Sequence, residues 1–223
     1  MDVQETHLDP RLTLTLSATF SGCSGAGKTQ LAQYILRHQP ELLREQWTRI
    51  LWLARYGQPS LEAALAGLPV EFRLVDASIP DLGELTAASG PPGQRTLIVL
   101  DDLMCAASGD EQISRLFTAG RHLGLSVFYM TQNLFCPGRF VRTIRLNTNF
   151  LFLFKSLHDS RQVGYYFQQM CHDNWREIVA AHRDATAAAY GYLMVNFRVA
   201  TDPLLRFRPD VRADRQTLYP IEL

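Results

Sequence analysis

The residues of this chain with the most chemical content stand together near its start: Gly22, Cys23, Ser24, Gly25, Ala26, Gly27, Lys28 and Thr29. They fit the pattern G-x-x-x-x-G-K-[ST] at every required position. Glycines let the backbone curl until successive N–H groups point at one phosphate, and the positive end of a following helix adds to their field. Lys28 would then reach the β- and γ-phosphates of a nucleoside triphosphate, and the Thr29 hydroxyl would ligate Mg²⁺. A glycine-rich turn that merely enters a helix is the plain alternative. Cys23 carries a third reading, because a thiol at a helix N-terminus can become reactive.

Two further stretches offer polar groups where such a site needs them. Thr96 to Asp102 (TLIVLDD) places four consecutive apolar residues ahead of two carboxylates, as a buried parallel strand with acids at its end requires. Asp101 would hold Mg²⁺ through water opposite Thr29, while Asp102 would accept a proton from an attacking water or orient it. An acidic pair that caps the next turn is the alternative. Leu125 to Met130 (LSVFYM) reads as another buried strand, ending in Thr131, Gln132 and Asn133. In an open parallel sheet ligands gather beyond the carboxyl ends of strands, so these polar side chains would sit beside the γ-phosphate, with Gln132 as its sensor. A plain turn would also account for them.

The elements that must position these groups follow from periodicity. Thr13 to Phe20 reads as a strand with one partly exposed face, because its alternation is less apolar than a central parallel strand needs. Leu31, Ile35 and Leu36 recur at helical spacing after the loop, and Pro40 marks a stop. Strands are expected at Thr48 to Ala54, at Val70 to Val75 on an edge or connection, and at Phe150 to Phe154. Helices are expected at Ser60 to Leu68, Asp110 to Leu123, Phe140 to Asn147, Asp159 to Met170 and Asn174 to Ala189, with Ala187 to Ala189 assignable to helix or loop. Ala87 to Gly93 can only be a loop. Gly191 to Val199 and Leu204 to Phe207 suggest a final hairpin, and the polar tail from Pro209 onward is expected to be loosely held. The chain thus divides into an N-terminal tail (1–11), one α/β domain (12–208) and a C-terminal tail (209–223).

Composition excludes several classes. With 223 residues the chain suits one such domain with a sizeable core. Lys and Arg number 22 and Asp and Glu 22, so no global field draws it to nucleic acid or anionic membrane, and any DNA contact must be local. No apolar run approaches a membrane span, and the acidic, polar start is unlike a secretory signal. Cys23, Cys105, Cys136 and Cys171 form no C-x-x-C pair and the six histidines no H-x-x-x-H pair, which argues against a zinc cluster or a disulfide framework.

Several segments agree with one family. The phosphate loop, LIVLDDLM at Leu97 to Met104, FTAGRHLGLSVFYMTQNLF at Phe117 to Phe135, RTIRLNTNFLFLFKSLHDSRQ at Arg142 to Gln162 and DATAAAYGYLMVNF at Asp184 to Phe197 resemble the DNA-packaging ATPases of poxviruses and of Polinton and adintovirus elements. These belong to the FtsK/HerA superfamily, and the likeness runs from about Leu14 to Arg208. It implies a P-loop NTPase domain of RecA/FtsK-HerA-like architecture: a mostly parallel sheet with helices on both faces. It also implies an enzyme that uses ATP and Mg²⁺, assembles as a homo-oligomeric ring, with a hexamer favoured, and translocates double-stranded DNA into a capsid. Capsid proteins would be partners and the host nucleus or cytoplasm the location. Two positions depart from the pattern: His158 stands where the family carries an arginine before Asp159, and Asp102 where many superfamily members have glutamate.

Rings of such motors complete each active site with an arginine from the neighbouring copy. Arg121, Arg139, Arg142 and Arg145 are candidates. Arg142 matches the arginine that the family places before the I-x-L-N segment. Arg139, Arg142 and Arg145, at three-residue steps, would serve equally as a solvated basic face or as a contact to DNA phosphates. Two rival readings share the phosphate loop: a nucleoside or nucleotide kinase, and a scaffold that closes on ATP without hydrolysing it.

Overall fold

The computed structural model describes residues 9–13, 15–74, 83, 94–101, 103, 111–135, 138–156, 161–171, 173–212 and 218–221. Asp102, Cys105, Cys136, His158 and the expected loop at Ala87 to Gly93 lie outside the described residues.

Eight strands form one sheet: β1 (Ser17–Ser21), β2 (Arg49–Ala54), β3 (Val70–Leu74), β4 (Thr96–Asp101), β5 (Leu125–Thr131), β6 (Phe150–Phe154), β7 (Tyr192–Asn196) and β8 (Phe207–Arg208). Their order is β3-β2-β4-β5-β1-β6-β7-β8. The first six in that order run parallel, and β7 and β8 close one side as the antiparallel hairpin expected from the sequence. The described helices are α1 (Lys28–Arg37), α2 (Gln39–Leu42), α3 (Pro59–Ala64), α4 (Glu111–Ala119), α5 (Val141–Leu146), α6 (Arg161–Gln168) and α7 (Trp175–Ala185).

Helices cover both faces because consecutive strand residues point to opposite sides. On one face Phe20, Trp52, Val99, Phe128 and Phe152 pack with Leu31, Ile35 and Leu36 of α1 and Leu61 of α3. On the other, Leu51, Leu53, Ile98, Leu100 and Val127 meet Ile113, Leu116 and Phe117 of α4 and Ile144 of α5. Beside them Leu151, Leu153, Leu193 and Val195 meet Val163 and Phe167 of α6 and Ile178 of α7.

Two expectations need correction. β1 is central rather than half-exposed: all five of its residues are buried between β5 and β6. The alternation that suggested an exposed face belongs to residues ahead of the strand, where Leu12 bridges to Leu43 and Thr15 turns the chain at φ 55. The C-terminal tail is also not loose where it is described. Val211 and Ile221 are buried, Val211 N–H donates to the Tyr192 hydroxyl at 2.8 Å, and the Tyr219 hydroxyl donates to Asp184 at 2.7 Å. A few apolar residues in a polar segment suffice to dock it.

Candidate functional site

The phosphate loop joins the end of β1 to the start of α1, and its glycines take conformations that other residues resist. Gly25 and Gly27 have φ of 75° and 105°. Gly22 is required for a different reason, since a Cβ there would stand 2.6 Å from Cβ of Phe154 on the neighbouring β6. The loop curls around the ammonium of Lys28, which donates to the carbonyls of Gly22 at 2.6 Å and Cys23 at 2.9 Å. The Gly22 N–H in turn donates to the Thr131 carbonyl at 3.2 Å, which ties the loop to the end of β5.

A cleft of about 430 Å³ opens over this loop, lined by Ser24 through Gln30 together with Gln58, Asp101, Met130, Gln132 and Tyr190. Thus Lys28, Thr29, Asp101 and Gln132, spread over more than a hundred positions, meet in one crevice. The sheet order explains it. β5 lies between β1 and β4, so Gln132 follows the strand that separates the phosphate loop from Asp101.

Asp101 is 5 % exposed, and its Oδ2 accepts from the Trp52 indole N–H at 3.2 Å and the Gln58 amide at 3.1 Å. Two neutral donors thus help to orient this carboxylate. Trp52 lies on β2 beside β4, and Gln58 immediately precedes α3. The Thr29 hydroxyl lies 3.9 Å from the Met130 sulfur. A carboxylate and a hydroxyl are hard oxygen ligands of the kind Mg²⁺ takes while keeping several of its waters.

Other sequence candidates are placed differently. Cys23 is outside the cleft lining, and its thiol points to the Lys155 carbonyl at 3.6 Å. Of the Thr131-Gln132-Asn133 turn only Gln132 reaches the cleft. The Thr131 hydroxyl donates to the Asn133 carbonyl and the Asn133 side chain accepts from the Phe135 N–H, so both close the turn itself. Arg142 is exposed on α5 and lines a separate surface pocket with Arg145 and Tyr166, not the cleft of its own chain.

The three arginines do not present one free basic face. The guanidinium of Arg145 lies 4.5 Å from the Tyr166 ring centroid and 5.1 Å from that of Phe135, and that of Arg139 lies 5.3 Å from that of Phe140. Arg121 lines a pocket at the opposite, amino-terminal end of β1 with Thr15 and Leu16.

Three residues at or behind the cleft escaped the motif reading. Trp52, buried within β2, and Gln58, just after that strand, belong to a stretch that carries no motif, and no spacing rule leads to them. Tyr190, next to Gly191 in a turn, carried a faint signal as a large aromatic where turn chemistry prefers small residues.

No protein-family model matches the chain, and no curated protein matches it in sequence. Solved structures do match in shape. The genome packaging NTPase B204 of Sulfolobus turreted icosahedral virus 2, in complex with ATP-gammaS, superposes with a TM-score of 0.57 at 14% identity, covering 87% of this chain and 96% of that one. The same NTPase in complex with AMPPCP gives 0.57 at 13% identity over 84% and 93%. The cytoplasmic domain of the Type VII secretion ATPase EccC of Thermomonospora curvata gives 0.54 at 14% identity, covering 86% of this chain and 23% of that one. At such identities the likeness is one of architecture: a mostly parallel sheet with a glycine-rich loop at its carboxyl edge gives this chain the α/β fold of the P-loop NTPases.

Proposed function

We propose that this protein is an ATP-hydrolysing motor that moves double-stranded DNA into a viral or virus-like capsid, of the kind found in poxviruses and in Polinton and adintovirus elements. The observation that carries the reading is the convergence of Lys28, Thr29, Asp101 and Gln132 on one cleft at the carboxyl edge of the sheet. The fold likeness to a genome packaging NTPase crystallised with ATP analogues supports it.

In this reading the loop N–H groups and Lys28 bind the phosphates. Asp101 and Thr29 would hold Mg²⁺, whose charge would offset that of the bound phosphates. Gln132 contacts the γ-phosphate and positions the attacking water, whose proton passes to Asp102. Arg142 enters from the adjacent copy of a homo-oligomeric, hexameric ring and stabilises charge in the transition state. Its exposure on α5, away from the cleft of its own chain, suits a group that acts in trans. The work would be done inside the host cell, at the site of capsid filling.

The test is ATP turnover measured with and without long duplex DNA, with a nucleoside offered as competing phosphoryl acceptor. Stimulation by duplex DNA is expected, together with loss of hydrolysis but not of ATP binding in Asp102→Asn. Phosphorylation of the nucleoside would replace the motor with a small-molecule kinase. Binding without turnover in the wild type would leave only a nucleotide-gated scaffold.

A further inference from the structure

Tyr190 is out of place by every rule that builds the rest of the fold. It is one of two non-glycine residues with positive φ among the described residues, at 61°, a conformation costly for a bulky side chain. Burial compensates little of that cost, because the residue is 61% exposed. Among the described residues it has no aromatic or cation–π partner. Glycine or asparagine would occupy such a position at lower cost.

The surrounding turn holds the strained residue in place. Thr186 N–H donates to the His182 carbonyl at 3.0 Å, Ala187 N–H to Asp184 at 3.0 Å and Gly191 N–H to Ala188 at 3.2 Å. Gly191 allows no side chain at all, since a Cβ would lie 2.4 Å from the Ala185 carbonyl oxygen. Immediately afterwards β7 begins, with Tyr192 paired to Phe154 of β6. The outcome is an aromatic ring fixed against the phosphate loop: a Cβ on Gly27 would meet Tyr190 Cδ1 at 3.2 Å. The ring lines the same cleft as Lys28 and Asp101.

The sheet order says which end of a nucleotide would pass there. Asp101 on β4 and Gln132 after β5 lie to one side of β1, and they draw the γ-phosphate and the metal toward that side. β6 and β7 lie to the other side, and Tyr190 stands at the entry to β7. A triphosphate laid along the loop with its γ end toward β4 directs its base toward β7. We propose that Tyr190 is the aromatic platform on which the base of the bound nucleotide stacks. The assignment rests on the nucleotide-site reading above. Stacking uses the π-face common to every base, so the ring supplies affinity rather than a choice among bases.

The test compares binding of ATP with that of inorganic tripolyphosphate, which has no base, to the wild type and to Tyr190→Phe, Tyr190→Asn, Tyr190→Gly and Lys28→Ala. Tyr190→Asn and Tyr190→Gly should weaken ATP by about five- to a hundred-fold while tripolyphosphate binds as before, and Tyr190→Phe should keep wild-type affinity. Both non-aromatic replacements suit the positive φ, so thermal stability should hold or rise. Unchanged ATP affinity in them would overturn the platform, as would equal weakening of both ligands, which would mean that the ring acts through the loop. Lys28→Ala separates the two levels. Loss of both ligands there supports the nucleotide site whatever Tyr190 does, whereas wild-type binding would remove the site and the platform with it.

Discussion

The carboxyl edge of β1, β4 and β5 and the surface of α5 both carry charged groups of the kind nucleotide motors use, yet they are built in opposite ways. At the sheet edge the charges are enclosed: Lys28 is grasped by two loop carbonyls, and Asp101 is buried under the indole of Trp52 and the amide of Gln58. On α5 the arginines are divided. Arg145 lies across Phe135 and Tyr166 and reaches Gln169 at 3.3 Å, while Arg142 is exposed. The first region is organised to receive a ligand within one chain. The second holds one arginine against aromatic rings and leaves another exposed, the arrangement that the proposed action on a neighbouring copy would need.

The sharpest way to break this contrast is Lys28→Ala, which should remove measurable ATP binding by calorimetry, because the loop then has dipoles but no cation. Wild-type affinity in that variant would dissolve the first region as a site. Next in size, Arg142→Ala should lower turnover by about a thousand-fold or more at saturating ATP, the scale of an arginine finger, with ATP affinity retained. Arg145→Ala should do the reverse, costing about 1 kcal/mol of stability through its lost ring contacts and leaving turnover largely intact. If Arg145→Ala lost turnover and Arg142→Ala did not, the two arginines would exchange roles.

A smaller effect tests the enclosure itself. Gly22→Ala should cost about 1–3 kcal/mol in denaturant unfolding, because its methyl group meets Phe154 in a packed strand pair. Phe154→Gly removes the Cβ that this methyl group meets and should relieve the clash, so the double variant should fall short of the sum of the two single costs.

The smallest effect concerns His182, whose pKa burial pushes below its ordinary 6.5. Its ring, on α7, lies 3.4 Å from the Phe154 carbonyl on β6. The unfolded chain takes up a proton at pH 6.5 that the folded chain resists. This stability is therefore full above pH 6.5 and lost as pH falls below it, by at most about 1.4 kcal/mol per pH unit. His182→Gln should flatten that acid limb in thermal melts at stepped pH.

Much of the fold was legible in the chain. Runs such as Leu97 to Leu100 and Phe150 to Phe154 are apolar without alternation, and only strands covered on both faces tolerate that. The glycine spacing of the phosphate loop is equally local, because φ near 105° at Gly27 is a demand on one residue. The errors have a common cause. β1 looked half-exposed because Thr13 and Thr15 were read as part of it, although whether a threonine ends a strand depends on the neighbours that the strand finds. Likewise the tail looked loose because Val211 and Ile221 are single apolar residues whose partners on the sheet are far away in sequence.

The amino-acid sequence determined what its local chemistry can dictate: a glycine loop that curls around the Lys28 ammonium, an apolar strand that ends in acid, and helices of a given face. Tertiary structure alone decided that β5 stands between β1 and β4, that Trp52 and Gln58 orient Asp101, and that Tyr190 is held against Gly27. The physical reason is range. Backbone conformation and periodicity act over a few residues, whereas strand order and the packing of strand ends are settled by burying apolar surface from the whole chain at once.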